Sequence, residues 1–102
     1  MEFGLTEIDI LKINSVFNKN ENIDIVIIYG SRAKGNYKVA SDIDLTLIGN
    51  DLKSSIIGQV NSQIDDLLLP YTFDISIFHQ ISNTDLIEHI ERVGKIFYKK
   101  NK

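Results

Sequence analysis

The sequence contains no cysteine and no tryptophan, a single proline, and no long uninterrupted apolar run. Without cysteine there is no disulfide framework, no zinc–thiolate centre and no thiol nucleophile, which suits a reducing compartment. No segment approaches the roughly 20 apolar residues that span a bilayer. Met1-Glu2-Phe3-Gly4 lacks the basic stretch and apolar core of a signal peptide. A cytoplasmic protein without membrane contact is therefore expected. There is no excess of positive charge either: the net charge is −3, which argues against direct, nonspecific attraction to nucleic acid. Nucleotide binding remains open, because a metal ion can invert the local sign of a site.

The 102 residues, 43% hydrophobic and 25% charged, describe an ordinary globular chain of one domain over 1–102. No repeat, low-complexity tract or linker divides it. Residues 6–19 read as a helix capped by Thr6, with Ile8, Leu11, Val16 and Phe17 at helical spacing. Residues 23–29 are β-branched and almost continuously apolar, the pattern of a central strand covered on both faces. A short, polar and basic connection follows from Gly30 to Ala40. Residues 42–48 alternate, as do 72–77 after Pro70, and a helical segment over 52–69 lies between them. Ser82 or Asn83 opens a last helix that Gly94 ends, and Ile96-Phe97-Tyr98 forms a final strand. The order α-β-α-β-α-β-α-β predicts an α+β fold, a small mixed sheet with helices packed on one face.

Three acids occupy strand faces, where aspartate is depleted. Asp42 and Asp44, two residues apart, share a face with Cα atoms about 6.5–7 Å apart. Carboxylates that close repel unless a cation lies between them. Asp74 holds the polar face of another alternating strand and joins them if the strands are neighbours in register. Oxygen donors without sulfur or imidazole select a hard cation, Mg²⁺ or Mn²⁺. Upstream, Gly30-Ser31 leaves the apolar strand where exposed amides and a hydroxyl can meet phosphate oxygens, with Arg32 and Lys34 adding positive charge. The Walker spacing is absent. Each feature alone also fits a plainer reading: solvated acids on an exposed sheet face, or a βα turn with surface cations.

Together, Gly30-Ser31, ten intervening residues and Asp42-Ile43-Asp44 resemble the signature of the DNA polymerase β-like nucleotidyltransferase superfamily. The flanking Arg32, Ala33, Gly35, Ser41 and Leu45 resemble its minimal nucleotidyltransferase (MNT) branch, and Phe73-Asp74-Ile75 matches its third acid. The resemblance implies a nucleotidyltransferase (polymerase β palm-like) fold. It implies metal binding and catalysis by Asp42, Asp44 and Asp74, with Asp74 aiding deprotonation of the acceptor. Gly30 and Ser31 would hold the nucleotide phosphates, and Arg32 is placed with them as a further phosphate contact. ATP is the implied donor. The implied partner is a HEPN-domain toxin, AMP-modified on a hydroxyl, most simply a tyrosine, so that this chain acts as its antitoxin. Two other readings are carried: a binding module that neutralises the HEPN partner by occlusion, and a small-molecule nucleotidyltransferase. His79 and His89 lack paired ligand spacing and read as surface or helix residues. Tyr29 and Phe73 read as core aromatics beside the site, where either could also line a base pocket.

Overall fold

The computed structural model describes residues 1–101. Among the described residues four α-helices and four strands alternate, with a short 3₁₀ turn over Phe78–Gln80: α1 (Glu7–Lys19), β1 (Ile25–Tyr29), α2 (Gly30–Lys34), β2 (Ile43–Ile48), α3 (Ser55–Asp65), β3 (Phe73–Ile77), α4 (Thr84–Val93) and β4 (Lys95–Lys99). The sheet order is β3-β2-β1-β4. β1 runs antiparallel to both β2 and β4, while β2 and β3 are parallel. Parallel neighbours require a crossover, and α3 supplies it.

The expected α+β architecture is thus present, with element ends set by local chemistry. The Thr6 hydroxyl accepts the Asp9 amide at 3.1 Å and starts α1. Asn83 accepts the amides of Asp85 (2.9 Å) and Leu86 (3.2 Å) and starts α4. α3 is shorter than the apolar spacing over 52–69 predicts. It ends at Asp65, and Leu68 turns to φ 57° with its side chain 89% exposed. The central strand begins at Ile25 because Ile23 is held in a turn through the Asn20 carbonyl.

One face of the sheet carries the core. Val26 and Ile28, Ile43, Leu45 and Leu47, and Ile75 and Ile77 are buried there with Ile13, Val16 and Phe17 of α1 and Val60 and Ile64 of α3. Each such side chain contributes about 1.5–3 kcal/mol of transfer free energy. The other face of β1 is less covered than expected, since Ile25 and Ile27 are only half-buried. A register irregularity between β1 and β4 turns consecutive aromatics inward. Phe97 and Tyr98 both pack on Phe17, with ring centroids 6.5 Å and 5.7 Å away. Asn20, buried at the end of α1, donates to the Val16 carbonyl (2.7 Å) and Gln63 Oε1 (2.9 Å), tying α1 to α3. Gly94 does end α4, but in an extended conformation. A Cβ there would meet Ile27 Cγ2 at 2.6 Å. Among the described residues no helix is long and apolar enough to cross a membrane.

Candidate active site

The face turned away from α1 and α3 carries the polar residues of β2 and β3, and strand register organises it. β1 pairs Tyr29 with Asp44, and β2 pairs Asp44 with Asp74. Tyr29, Asp44 and Asp74 therefore stand in one row across three strands, with neighbouring backbones about 4.8 Å apart. Asp42 lies two residues before Asp44 at the mouth of β2. The next row is Ile27, Thr46 and Ser76. There Ser76 Oγ donates to Thr46 Oγ1 at 2.9 Å, and Thr46 is fully buried.

The three sequence-marked acids are thus neighbours. Asp42 and Asp74 are exposed and Asp44 is half-buried. Among the described residues no three His, Cys, Asp or Glu side chains are gathered tightly enough to hold an ion as they stand. Closing on one would take side-chain rotation, which exposure leaves free to Asp42 and Asp74. The electrostatics suit a cation. Burial, then the charges of Asp74 and Asp42, push the Asp44 carboxyl above its ordinary range. Tyr29 is also pushed up, chiefly by burial and further by Asp74 and Asp44, with the Ser76 hydroxyl acting the other way. Its phenol stays protonated beside the acids.

Gly30 brings the turn out of β1 against the acids. Its φ is +74°, and a Cβ there would collide with the Asp44 carboxylate, lying 3.3 Å from Cγ. Only glycine meets both demands without strain. Gly30 and Ser31 open α2, whose first amides have no intrahelical acceptor. Ser31 is half-buried beside them, and Lys34 projects into solvent.

Arg32 departs from the place assigned to it with Gly30 and Ser31. It is 2% exposed. Nε donates to the Ser41 carbonyl (3.0 Å), Nη1 to the Phe3 carbonyl (2.8 Å) and Nη2 to the Val39 carbonyl (3.3 Å). Its guanidinium carbon lies 5.5 Å from the Tyr37 ring centroid and 5.4 Å from that of Tyr71. Consecutive helical residues point about 100° apart, so the residue after Ser31 faces the protein. A basic residue beside a phosphate-type turn reads as a phosphate contact, and nothing local in the sequence signals this burial.

His89 is a helix residue, as expected, and it also borders the row. α4 packs against α2 and β1, and the half-buried His89 ring meets Tyr29 edge-on, with centroids 6.1 Å apart. His79 is exposed on the turn after β3, and Phe73 is half-buried.

The family described as "Polymerase beta, Nucleotidyltransferase" matches residues 11–102. This chain belongs to that family. No curated protein matches the sequence. Among solved structures, the nucleotidyltransferase fold is shared with a toxin–antitoxin structure containing AMP-PNP, at TM-score 0.71 and 20% identity over 94% of this chain and 75% of that one. It is shared with a complex of tri-AMPylated Shewanella oneidensis HEPN toxin and MNT antitoxin, at TM-score 0.69 and 16% identity over 94% and 74%. A putative nucleotidyltransferase from Sulfolobus solfataricus matches at TM-score 0.58 and 20% identity over 89% and 77%.

Proposed function

We propose that this nucleotidyltransferase-family protein is an MNT antitoxin that transfers AMP from ATP to a tyrosine hydroxyl of a HEPN-domain toxin. The observation that carries the reading is the register that sets Asp74 beside Asp44, with Asp42 adjacent and Gly30 against them. Family membership supports nucleotidyl transfer. The likeness to toxin–antitoxin structures, one containing AMP-PNP and one an AMPylated HEPN toxin, supports the donor and partner.

Asp42, Asp44 and Asp74 would hold Mg²⁺ or Mn²⁺, since an all-carboxylate donor set suits a hard cation. Bound there, the metal would supply charge neutralisation for the phosphates and for the leaving pyrophosphate. The turn at Gly30-Ser31 would bind the β- and γ-phosphates through its amides and hydroxyl. The acceptor oxygen forms a bond to the α-phosphorus while the bond to the pyrophosphate oxygen breaks. The acceptor proton passes to Asp74, the exposed carboxylate of the row. AMP added to a HEPN protein brings negative charge and bulk to a surface that must meet RNA, which would silence it.

The test uses α-labelled ATP, Mg²⁺ and the purified complex with a HEPN-domain partner. Label on the partner that vanishes in the Asp42→Asn/Asp44→Asn variant, with association retained, is expected. Neutralisation that persists in that variant, without label, would replace this reading by occlusion.

A further inference from the structure

We infer that Arg32 is a positioning residue, a clamp that fixes the backbone entering the Asp42–Asp44 pair. The inference rests on the proposed metal site, which it extends to a buried residue whose donors are turned to backbone carbonyls. Residues 35–40 are all exposed and form no regular element. Ordering such a stretch costs about 1–2 kcal/mol per residue in backbone entropy, so a connection delivering a catalytic acid needs an anchor.

Arg32 provides one from the rigid side. It projects from α2, directly after the turn at Gly30-Ser31, and grips two carbonyls of the connection, Val39 and Ser41. The Ser41 carbonyl belongs to the peptide that enters Asp42. The connection adds its own lock: Lys38 donates its amide to Ser41 Oγ (2.8 Å), and Ser41 returns its amide to the Lys38 carbonyl (3.0 Å). The third prong reaches the Phe3 carbonyl in an N-terminal turn where Phe3 and Gly4 both take positive φ. A Cβ on Gly4 would lie 2.8 Å from Arg32 Nη1, so the glycine lets that turn close on the guanidinium.

Tyr37 and Tyr71 cover the cation. Tyr71 is itself fixed, its hydroxyl donating to Asp9 Oδ2 of α1 at 2.8 Å. One planar group thus joins α2, the N-terminal turn and the approach to β2. Lysine has a single ammonium and cannot reproduce a three-pronged planar fork.

The test separates clamp from phosphate contact by leaving nucleotide out. Mn²⁺ binding is measured by electron paramagnetic resonance, and amide exchange at Lys38 and Ser41 by NMR, for wild type, Arg32→Met and Arg32→Lys. Circular dichroism checks the fold. Supporting residues of metal sites typically cost about 10–100-fold in affinity when lost. Arg32→Met is therefore expected to bind Mn²⁺ at least about tenfold more weakly and to exchange both amides faster, with Arg32→Lys between it and wild type. If Arg32→Met destroys the fold, the Arg32→Lys comparison decides alone. Wild-type Mn²⁺ affinity and unchanged exchange in a folded variant would overturn the clamp. Should wild type itself bind no Mn²⁺, the proposed metal site fails, while the two exchange rates still judge whether Arg32 holds the connection.

Discussion

Replacing Asp44 by Asn is expected to stabilise the metal-free protein while disabling the site. Asp44 is half-buried, faces Asp74 across the parallel pair and has Asp42 two residues away. Two unit charges about 6 Å apart repel by roughly 3 kcal/mol at an effective dielectric constant of about 20. Exposure of both neighbours and ordinary salt reduce the net cost to about 1 kcal/mol. For a domain of this size that is a rise in Tm of about 4–8 °C.

The sign of the pH dependence follows from the same neighbours. The Asp44 carboxyl is raised in the folded state, by burial first and then by Asp74 and Asp42. Between the ordinary carboxylate value and the raised one, the native state holds more protons than the unfolded chain, so stability falls as pH rises through that window. The Tm advantage of Asp44→Asn over wild type, measured in EDTA by calorimetry, should therefore be smallest in acid below the window and reach its full size above it. Mg²⁺ at about ten times its Kd should return about 1.4 kcal/mol to wild type and little to the variant. A metal-free Asp44→Asn protein less stable than wild type at neutral pH, or a gap indifferent to pH, would refute the reasoning.

Other perturbations test neighbouring parts. Gly30→Ala forces a Cβ into the Asp44 carboxylate at a positive φ. It should cost about 1–3 kcal/mol in denaturant melts and remove AMP transfer. Tyr71→Phe deletes the hydrogen bond to Asp9, and chemical denaturation should register a loss of about 1 kcal/mol. Asn83→Ala removes the cap of α4 at about 1 kcal/mol, with loosened exchange in α4 as its signature. Leu45→Ala opens a cavity behind the acid row and should cost about 2–5 kcal/mol.

Much of this arrangement was legible in the chain because it is written in local alternation. Period two puts Asp42 and Asp44 on one face, Thr6 announces α1, and the Ser82-Asn83 pair announces α4, of which Asn83 is the cap. Legibility failed where a residue's environment is assembled from distant segments. Leu67, Leu68 and Leu69 extend the apolar spacing of α3, but the chain turns through a positive φ at Leu68 and leaves it exposed. His89 belongs to an amphipathic helix, and its approach to Tyr29 depends on α4 packing over β1. Arg32 is the clearest case. Its partners come from residues 3, 39, 41, 37 and 71, and no window of sequence contains them.

Register connects stability to the candidate chemistry more tightly than any single contact. Along β3, Ile75 and Ile77 face the core while Asp74 and Ser76 face the polar side, in step with Leu45 and Leu47 beside Asp44 and Thr46. A slip of one residue in the β2–β3 pairing would turn Ile75 and Ile77 to solvent and drive Asp74 towards Leu45. Burying an ionised carboxylate without a partner costs several kcal/mol, and exposing two isoleucines adds about 3–6 more. The apolar half of the alternation therefore pins the acidic half. It follows that volume-conserving changes at Ile75, such as Ile75→Leu, should leave Asp74 beside Asp44. Ile75→Asp weakens the preference for the native register, and Mn²⁺ affinity should fall even though no proposed ligand has changed. Equal Mn²⁺ affinity in both variants would separate the site from the core and defeat this account.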